Sequence, residues 1–243
     1  MSNNFKEKIM KRIITFTLLI STLMLGCSTK AVSGQKLSEH YYSVISMQIN
    51  NLNKFKEYRQ KTKKLFQSAG GKILRDFDVV GAPKGPIQYG EVSRVSLVEF
   101  NSETGFKKLS KNPDYKKYQN LLNDAASNQK LMSGSTHKPY SAKSGELFIL
   151  KISNYKKQDG QAQKVANGIN QRLQKKYDFY NDTQFKISEL EGLHRADDVG
   201  IFLYKKSSGQ EKLYKDKNAM ESIGKFNKTF LDGFVYLALR PIR

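Results

Sequence analysis

The sequence has little of the residue types that most often support catalysis or covalent cross-linking. Its 243 residues include one cysteine, three histidines, five prolines and no tryptophan. A single cysteine excludes an internal disulfide and a four-cysteine zinc site. Acidic residues are also scarce, since 22 Asp and Glu face 42 Lys and Arg, for a net charge of +20. This charge favours anionic neighbours, while a hydrophobic content of 38% is enough for a folded core.

The N-terminal segment has the organisation of an export signal. Lys6, Lys8, Lys11 and Arg12 precede an uncharged, mostly apolar run at residues 13–25. A helix of this length spans about 20 Å, less than the roughly 30 Å of a bilayer's hydrocarbon core. The pattern therefore indicates a signal peptide rather than a transmembrane helix.

The only cysteine follows this run directly. The segment Leu23-Met24-Leu25-Gly26-Cys27 resembles the lipobox of bacterial lipoproteins, in which the cysteine thiol is diacylated and becomes the mature N-terminus. The resemblance implies a signal peptide at 1–26, lipidation of Cys27 with palmitate-type chains, and a lipidated tether at 27–39. The alternative is an ordinary cleaved signal that happens to end at a cysteine.

The predicted location is the cell envelope, with the protein anchored by lipid to a bacterial membrane. Ser28 rather than Asp follows Cys27, which is compatible with the outer membrane if the cell is Gram-negative. Processing would leave 38 basic and 21 acidic residues, so a charge of about +17 belongs to the exported body. With 31 lysines and only 7 arginines, this body suits a diffuse anionic lipid or glycan surface, and no nucleic-acid partner is expected.

The mature chain shows the same order of elements twice, at 40–142 and at 145–243. Both segments alternate β-branched runs with amphipathic stretches and read as β-α-β-β-α-β, the ferredoxin-like order. The first half predicts strands at 41–49, 72–80, 94–100 and 131–140, with helices at 52–68 and 102–122. The second half predicts strands at 146–153, 183–190, 199–205 and 234–239, with helices at 159–177 and 210–231.

The first half also resembles a known superfamily over about 100 residues. The residues that carry the likeness are Tyr42, Val44, Phe55, Tyr58, Gly70-Gly71-Lys72-Ile73-Leu74, Arg94-Val95, Glu99-Phe100, Asn112-Pro113-Asp114-Tyr115 and Tyr118. They resemble the dimeric α/β-barrel superfamily, which includes antibiotic-biosynthesis monooxygenase-like proteins, and most closely a branch of unknown function. The resemblance implies an α+β fold of two tandem ferredoxin-like units, paired sheet to sheet as an internal barrel in a monomeric pseudo-dimer.

The haem-degrading chemistry of that superfamily does not transfer to this sequence. Its haem-degrading members share an Asn-Trp-His set, and this chain has no tryptophan. His40, His137 and His194 lack metal-ligand spacing, and no nucleophile or phosphate-loop motif is present. No cofactor and no metal are therefore predicted.

A candidate pocket is the remaining site prediction from the sequence. It consists of Tyr42, Arg94, Tyr118 and His137, with His137 at a strand end near the expected barrel mouth.

The sequence supports three functions, in order of preference. The first is a non-enzymatic envelope lipoprotein that binds a small ligand or envelope partner. The second is a cofactor-independent monooxygenase or isomerase acting in the barrel, and the third is electrostatic binding to anionic envelope lipid or glycan.

Overall fold

A computed structural model describes residues 40–242 of the chain. The predicted signal peptide, the lipidation site at Cys27 and the tether lie outside these residues. Among the described residues, no helix combines the length and the apolar character that crossing a bilayer requires.

The first half contains four strands and four helices. In chain order they are β1 (His40–Ile49), α1 (Leu52–Ser68), β2 (Gly71–Val79), β3 (Arg94–Phe100), α2 (Glu103–Lys111), α3 (Pro113–Lys117), α4 (Gln119–Ala125) and β4 (Ala126–Thr136). The second half contains β5 (Leu147–Tyr155), α5 (Gln161–Tyr177), β6 (Phe179–Lys186), β7 (Glu189–Glu191), β8 (Asp198–Tyr204), α6 (Ser207–Lys215), α7 (Lys217–Phe230) and β9 (Leu231–Pro241). The predicted ferredoxin-like order is confirmed in both halves, with β7 as a short addition.

Two helices that the sequence predicts as continuous are interrupted. The helix expected at 102–122 breaks at Asn112, whose side chain accepts hydrogen bonds from the backbone N–H groups of Asp114 (2.8 Å) and Tyr115 (3.1 Å). Pro113 follows and forces the residue before it into an extended conformation. The helix expected at 210–231 breaks at Asp216, which caps α7 by accepting from the N–H of Ala219 at 3.0 Å.

All nine strands belong to one antiparallel sheet in the order β6-β8-β5-β9-β2-β3-β1-β4-β7. The two halves join where β2 pairs with β9, with Val79 opposite Leu239. They meet again where β7 pairs with β4, with Leu131 opposite Glu191. β6 and β7 are the first and last strands of this order, and only two residues separate them along the chain.

The sheet has an inner face and an outer, helix-covered face. Along β1, Tyr42 and Val44 point to the inner face, whereas Ile45 and Met47 point toward the helices, as the two-residue period of a strand requires. A single cluster of buried side chains from both halves fills the inner face, and Phe77 packs on Phe148 there with ring centroids 5.1 Å apart.

A buried polar network, here called the inter-half network, crosses from the first half to the second. Arg75 of β2 lies 3.5 Å from the carboxylate of Asp182 on β6, whose side chain is completely buried. Tyr140, in the connection between the halves, donates to Asp182 at 3.0 Å and is also hydrogen-bonded to Arg75. Arg75 also donates to the carbonyl of Lys143 at 2.6 Å and stacks 4.9 Å above the ring of Phe148. Burial raises the pKa of Asp182, although Arg75 opposes that effect.

Candidate functional site

A cavity of about 1000 Å³ lies between the outer face of the first-half sheet and its helices. Buried apolar residues under these helices form two separate clusters, one around Phe55 and Leu122 and the other around Phe100 and Leu109. Ile45 packs against both clusters and therefore marks the middle of the cavity floor. In the second half, one continuous cluster occupies the equivalent space. The two halves share a fold, but the first has an opening where the second is packed.

Small side chains on the strands account for this difference. Ser43 and Ser96 line the floor from β1 and β3, and both are buried. Ser43 is hydrogen-bonded to Ser133 of β4 at 2.7 Å, so its polar atom is satisfied without a ligand. A serine fills much less space than the large apolar residues typical of a core, such as Leu147 and Ile149 on the outer face of β5.

The cavity walls are mostly aromatic and aliphatic. Apolar side chains come from two strands, from α1 and from the helices after β3: Ile45, Met47, Phe55, Phe66, Val98, Phe100, Phe106, Leu109 and Leu122. A concave, largely apolar site of this size is the usual form of a small-molecule site.

Polar groups in the walls bond to one another. The hydroxyls of Tyr58 on α1 and Tyr115 on α3 are 2.9 Å apart. Burial is the main cause that raises the pKa of each phenol. Arg59 donates to Asp76 at 2.8 Å, and Asp76 also accepts from Ser96. The break at Asn112 is what brings Tyr115 into reach of α1.

The mouth of the cavity is cationic. Lys63 and Lys116 line it and are exposed, and neither forms an ion pair within residues 40–242. Glu191 is the one carboxylate among the lining residues. The side chain of Ile73, opposite Val98 of β3 and on the same face, is exposed, so apolar surface reaches the entrance.

This arrangement favours binding over proton transfer. No histidine or cysteine lines the cavity, and its buried tyrosines stay protonated at neutral pH because their pKa values are raised. Within the described part of the chain, no group of three acidic, histidine or cysteine side chains is placed to hold a metal ion.

The four residues of the predicted pocket do not form one site, and none of them lines the cavity. Tyr42 lies on the inner face, where it donates to Glu99 at 3.2 Å and accepts from the N–H of Tyr140 at 2.7 Å. Burial, with Glu99 as a smaller cause, raises the pKa of Tyr42 to about 12. Tyr42 therefore serves the junction between the halves.

The other three predicted residues lie in three different places. Arg94 is the first residue of β3, at the strand end away from Glu99, and pairs with Asp78 of β2 at 3.2 Å. Tyr118 separates α3 from α4 and is half-buried against the helix side of the sheet. His137 is exposed just after β4. Predicting the strands correctly did not bring these residues into one pocket, because neighbouring positions on a strand face opposite sides of the sheet.

Sequence reasoning identified Tyr58 and Tyr115 through the family resemblance but did not place them in the pocket. It missed Arg59, Ser43 and Ser96 entirely. The available signal was the serines at outer-face positions of otherwise β-branched or apolar strands. A serine at such a position leaves room above the sheet.

A second buried polar group lies under the second-half helices. Lys151 of β5 stacks 4.9 Å from the ring of Phe226, and burial lowers its pKa to about 8. Asp198 of β8 accepts from Gln184 at 2.9 Å, and burial raises its pKa to about 6. The Lys151 ammonium lies over the rings of Phe226 and Tyr236, and we interpret the pair as part of the packing.

We predict that Lys151→Met stabilises the protein near neutral pH. The folded protein releases the Lys151 proton near pH 8, whereas the unfolded chain holds it to about 10.5. Below pH 8 the charged amine therefore costs stability, and that cost disappears as pH rises from 8 to 10.5. Urea unfolding should show a gain of roughly 1–3 kcal/mol at pH 7 that shrinks by pH 10. Lys164→Met, on the exposed part of α5, should change little, and an equal effect of both substitutions would contradict this interpretation.

Comparison with known proteins agrees with this fold. Residues 40–133 match the family model described as a domain of unknown function, DUF1330. The solved structure of an anthrone oxidase-like protein is similar, with a TM-score of 0.59 at 9% identity over 84% of this chain and 92% of that one. A chlorite dismutase variant from Candidatus Nitrospira defluvii is similar with a TM-score of 0.53 at 11% identity, over 83% and 90% of the two chains. At these identities the likeness concerns the fold alone. A search of curated proteins finds no match.

Proposed function

We propose that this protein is a lipid-anchored envelope protein that binds a small, largely apolar ligand in the cavity of its first half. The observation that carries the binding role is the opening between the two apolar clusters beneath α1–α4, with Ile45 on its floor. The export signal and the lipobox-like Cys27 support the anchor. The absence of histidine and cysteine from the cavity lining supports a role without catalysis.

We also propose that the two halves close into one internal barrel, so that a single chain acts as a pseudo-dimer. Pairing of β2 with β9 and of β4 with β7 supports this, because β7 continues directly from β6. A Cβ atom on Gly134 of β4 would come within 2.0 Å of the carbonyl oxygen of Lys186, so glycine allows β4 to approach the end of β6 closely. Closure would leave no free sheet edge at this point. It would also make the packed inner face a structural core, and the ligand site would then lie under the helices.

Filling the cavity tests the binding role. Ile45→Trp adds bulk at the middle of the floor, and we expect it to abolish binding of the neutral fluorescent probe N-phenylnaphthylamine. Ile149→Trp is the matched control, because it adds the same bulk on the outer face of β5, away from the cavity. Circular dichroism and thermal unfolding verify folding, and Ile45→Phe gives a milder version of the same block. Equal probe binding by wild type and Ile45→Trp would contradict a site in this cavity.

A further inference from the structure

We propose that the ligand is an anionic amphiphile, with a hydrocarbon chain inside the cavity and a carboxylate or phosphate head at its mouth. This inference rests on the proposed binding role and names the ligand class for the same cavity. It follows from the different chemistry of the interior and the entrance.

The interior suits a chain without polar groups. The hydroxyls of Tyr58 and Tyr115 bond to each other, and Ser43 bonds to Ser133. Ser96 and Arg59 both donate to Asp76. A polar ligand in the interior would have to displace these bonds after losing its own hydration, whereas a hydrocarbon chain loses nothing and gains apolar contact.

The entrance suits a negative charge. Lys63 of α1 and Lys116 of α3 approach the cavity from two elements and have no carboxylate partner within the described part of the chain. The nearby side chain of Ile73, exposed to 39%, would contact the first methylenes below the head group. Two ammonium groups without a carboxylate partner favour a bound anion at this entrance.

Two properties of the cavity define the expected affinities. Each additional buried methylene should tighten binding roughly fourfold until the cavity is full, because burial of one methylene contributes about 0.8 kcal/mol. A fatty acid should bind about tenfold more tightly than the alcohol of the same chain length, since only the acid carries the charge that the mouth attracts.

Displacement of N-phenylnaphthylamine from the full-length protein tests this proposal. The competitors are laurate, myristate, the two corresponding alcohols, and lysophosphatidic acid with a myristoyl chain. The acid and the lysophospholipid arms distinguish a free fatty acid from a phosphate-headed lipid as the better-fitting source of the same chemistry. Displacement by the acids with the expected chain-length dependence supports the proposal, and displacement by the alcohols with equal strength overturns the requirement for charge.

Charge-reversal variants separate the mouth from the general surface. Lys63→Glu/Lys116→Glu should weaken binding of myristate by about tenfold and leave binding of the neutral probe unchanged. Lys56→Glu/Lys64→Glu carries the same change in net charge at exposed positions of α1 outside the cavity and should bind like wild type. Equal weakening by both variants would overturn a specific role for the mouth. If the probe binds wild type but no amphiphile displaces it, the ligand class fails and the binding role stands. If the probe does not bind wild type, the binding role fails as well.

Discussion

Replacement of Arg75 with alanine should lower the free energy of unfolding by about 3–5 kcal/mol, a large fraction of the stability of an ordinary domain. The reason is the environment of Asp182, whose carboxylate is completely buried and has Arg75 as its nearest cation. Removal of the guanidinium would leave this buried charge without an ion-pair partner, with only the Tyr140 hydroxyl and the N–H of Lys143 donating to it. It would also remove the donor to the carbonyl of Lys143 in the connection between the halves. Chemical denaturation at pH 7 measures the effect.

Two further variants show whether the buried charge is the cause. Arg75→Ala/Asp182→Asn should recover part of the loss, because the amide is much less costly to bury than an unpaired carboxylate. Arg59→Ala removes an arginine whose partner, Asp76, keeps 23% of its side-chain surface exposed, and it should cost only about 1 kcal/mol. The Arg75→Ala defect should also shrink as pH falls, because protonated Asp182 is tolerated in the interior. A loss no larger than that of Arg59→Ala would contradict the assigned role of the inter-half network.

Replacement of Cys27 with serine should abolish incorporation of a palmitate label into the protein. Thioether attachment of the lipid needs the thiol, and Cys27 is the only cysteine in the sequence. Each buried methylene of the acyl chains contributes about 0.8 kcal/mol, so two chains hold the protein on a membrane firmly. Mass spectrometry of the N-terminal peptide provides a second measurement, in which wild type should begin at an acylated Cys27.

Ser28→Ala is the matched control for this experiment, because it changes the neighbouring residue and keeps the thiol. It should retain the label. Recovery of wild-type protein with an unmodified thiol at position 27, or equal labelling of the serine variant, would contradict the lipid anchor. An ordinary cleaved signal peptide would then be the better interpretation of residues 1–26.

The sequence predicted the order of elements well, because strands and helices leave different periodicities. Leu52–Ser68 and Arg94–Phe100 agree residue for residue with the predicted ranges. Two strands are shifted toward the N-terminus, since β4 is Ala126–Thr136 rather than 131–140 and β6 is Phe179–Lys186 rather than 183–190. Other errors occurred where a local cap overrides the periodicity. At Asn112 and Asp216, a short polar side chain satisfies the N–H groups of a new helix and ends the continuous one.

The candidate site was harder to predict, because a cavity depends on what is missing between elements far apart in sequence. Tyr58 and Tyr115 are 57 positions apart, and their hydrogen bond depends on how α1 and α3 pack on the sheet. Tyr42 does point to the inner face, where the sequence predicted a barrel pocket, but a buried cluster fills that face. The serines of the floor belong to no catalytic motif. Their effect is that their small side chains leave space above the sheet unfilled.

A crystal structure of the full-length protein with N-phenylnaphthylamine tests the central claim most directly. The account predicts the probe between α1 and the outer face of β1 and β3, in contact with Ile45 and close to the Tyr58–Tyr115 pair. Crystals of Ile149→Trp should show the same bound probe, and crystals of Ile45→Trp should show the indole in its place. Direct packing of α1 on the strands, with no space above Ile45 and the probe elsewhere or absent, would contradict it.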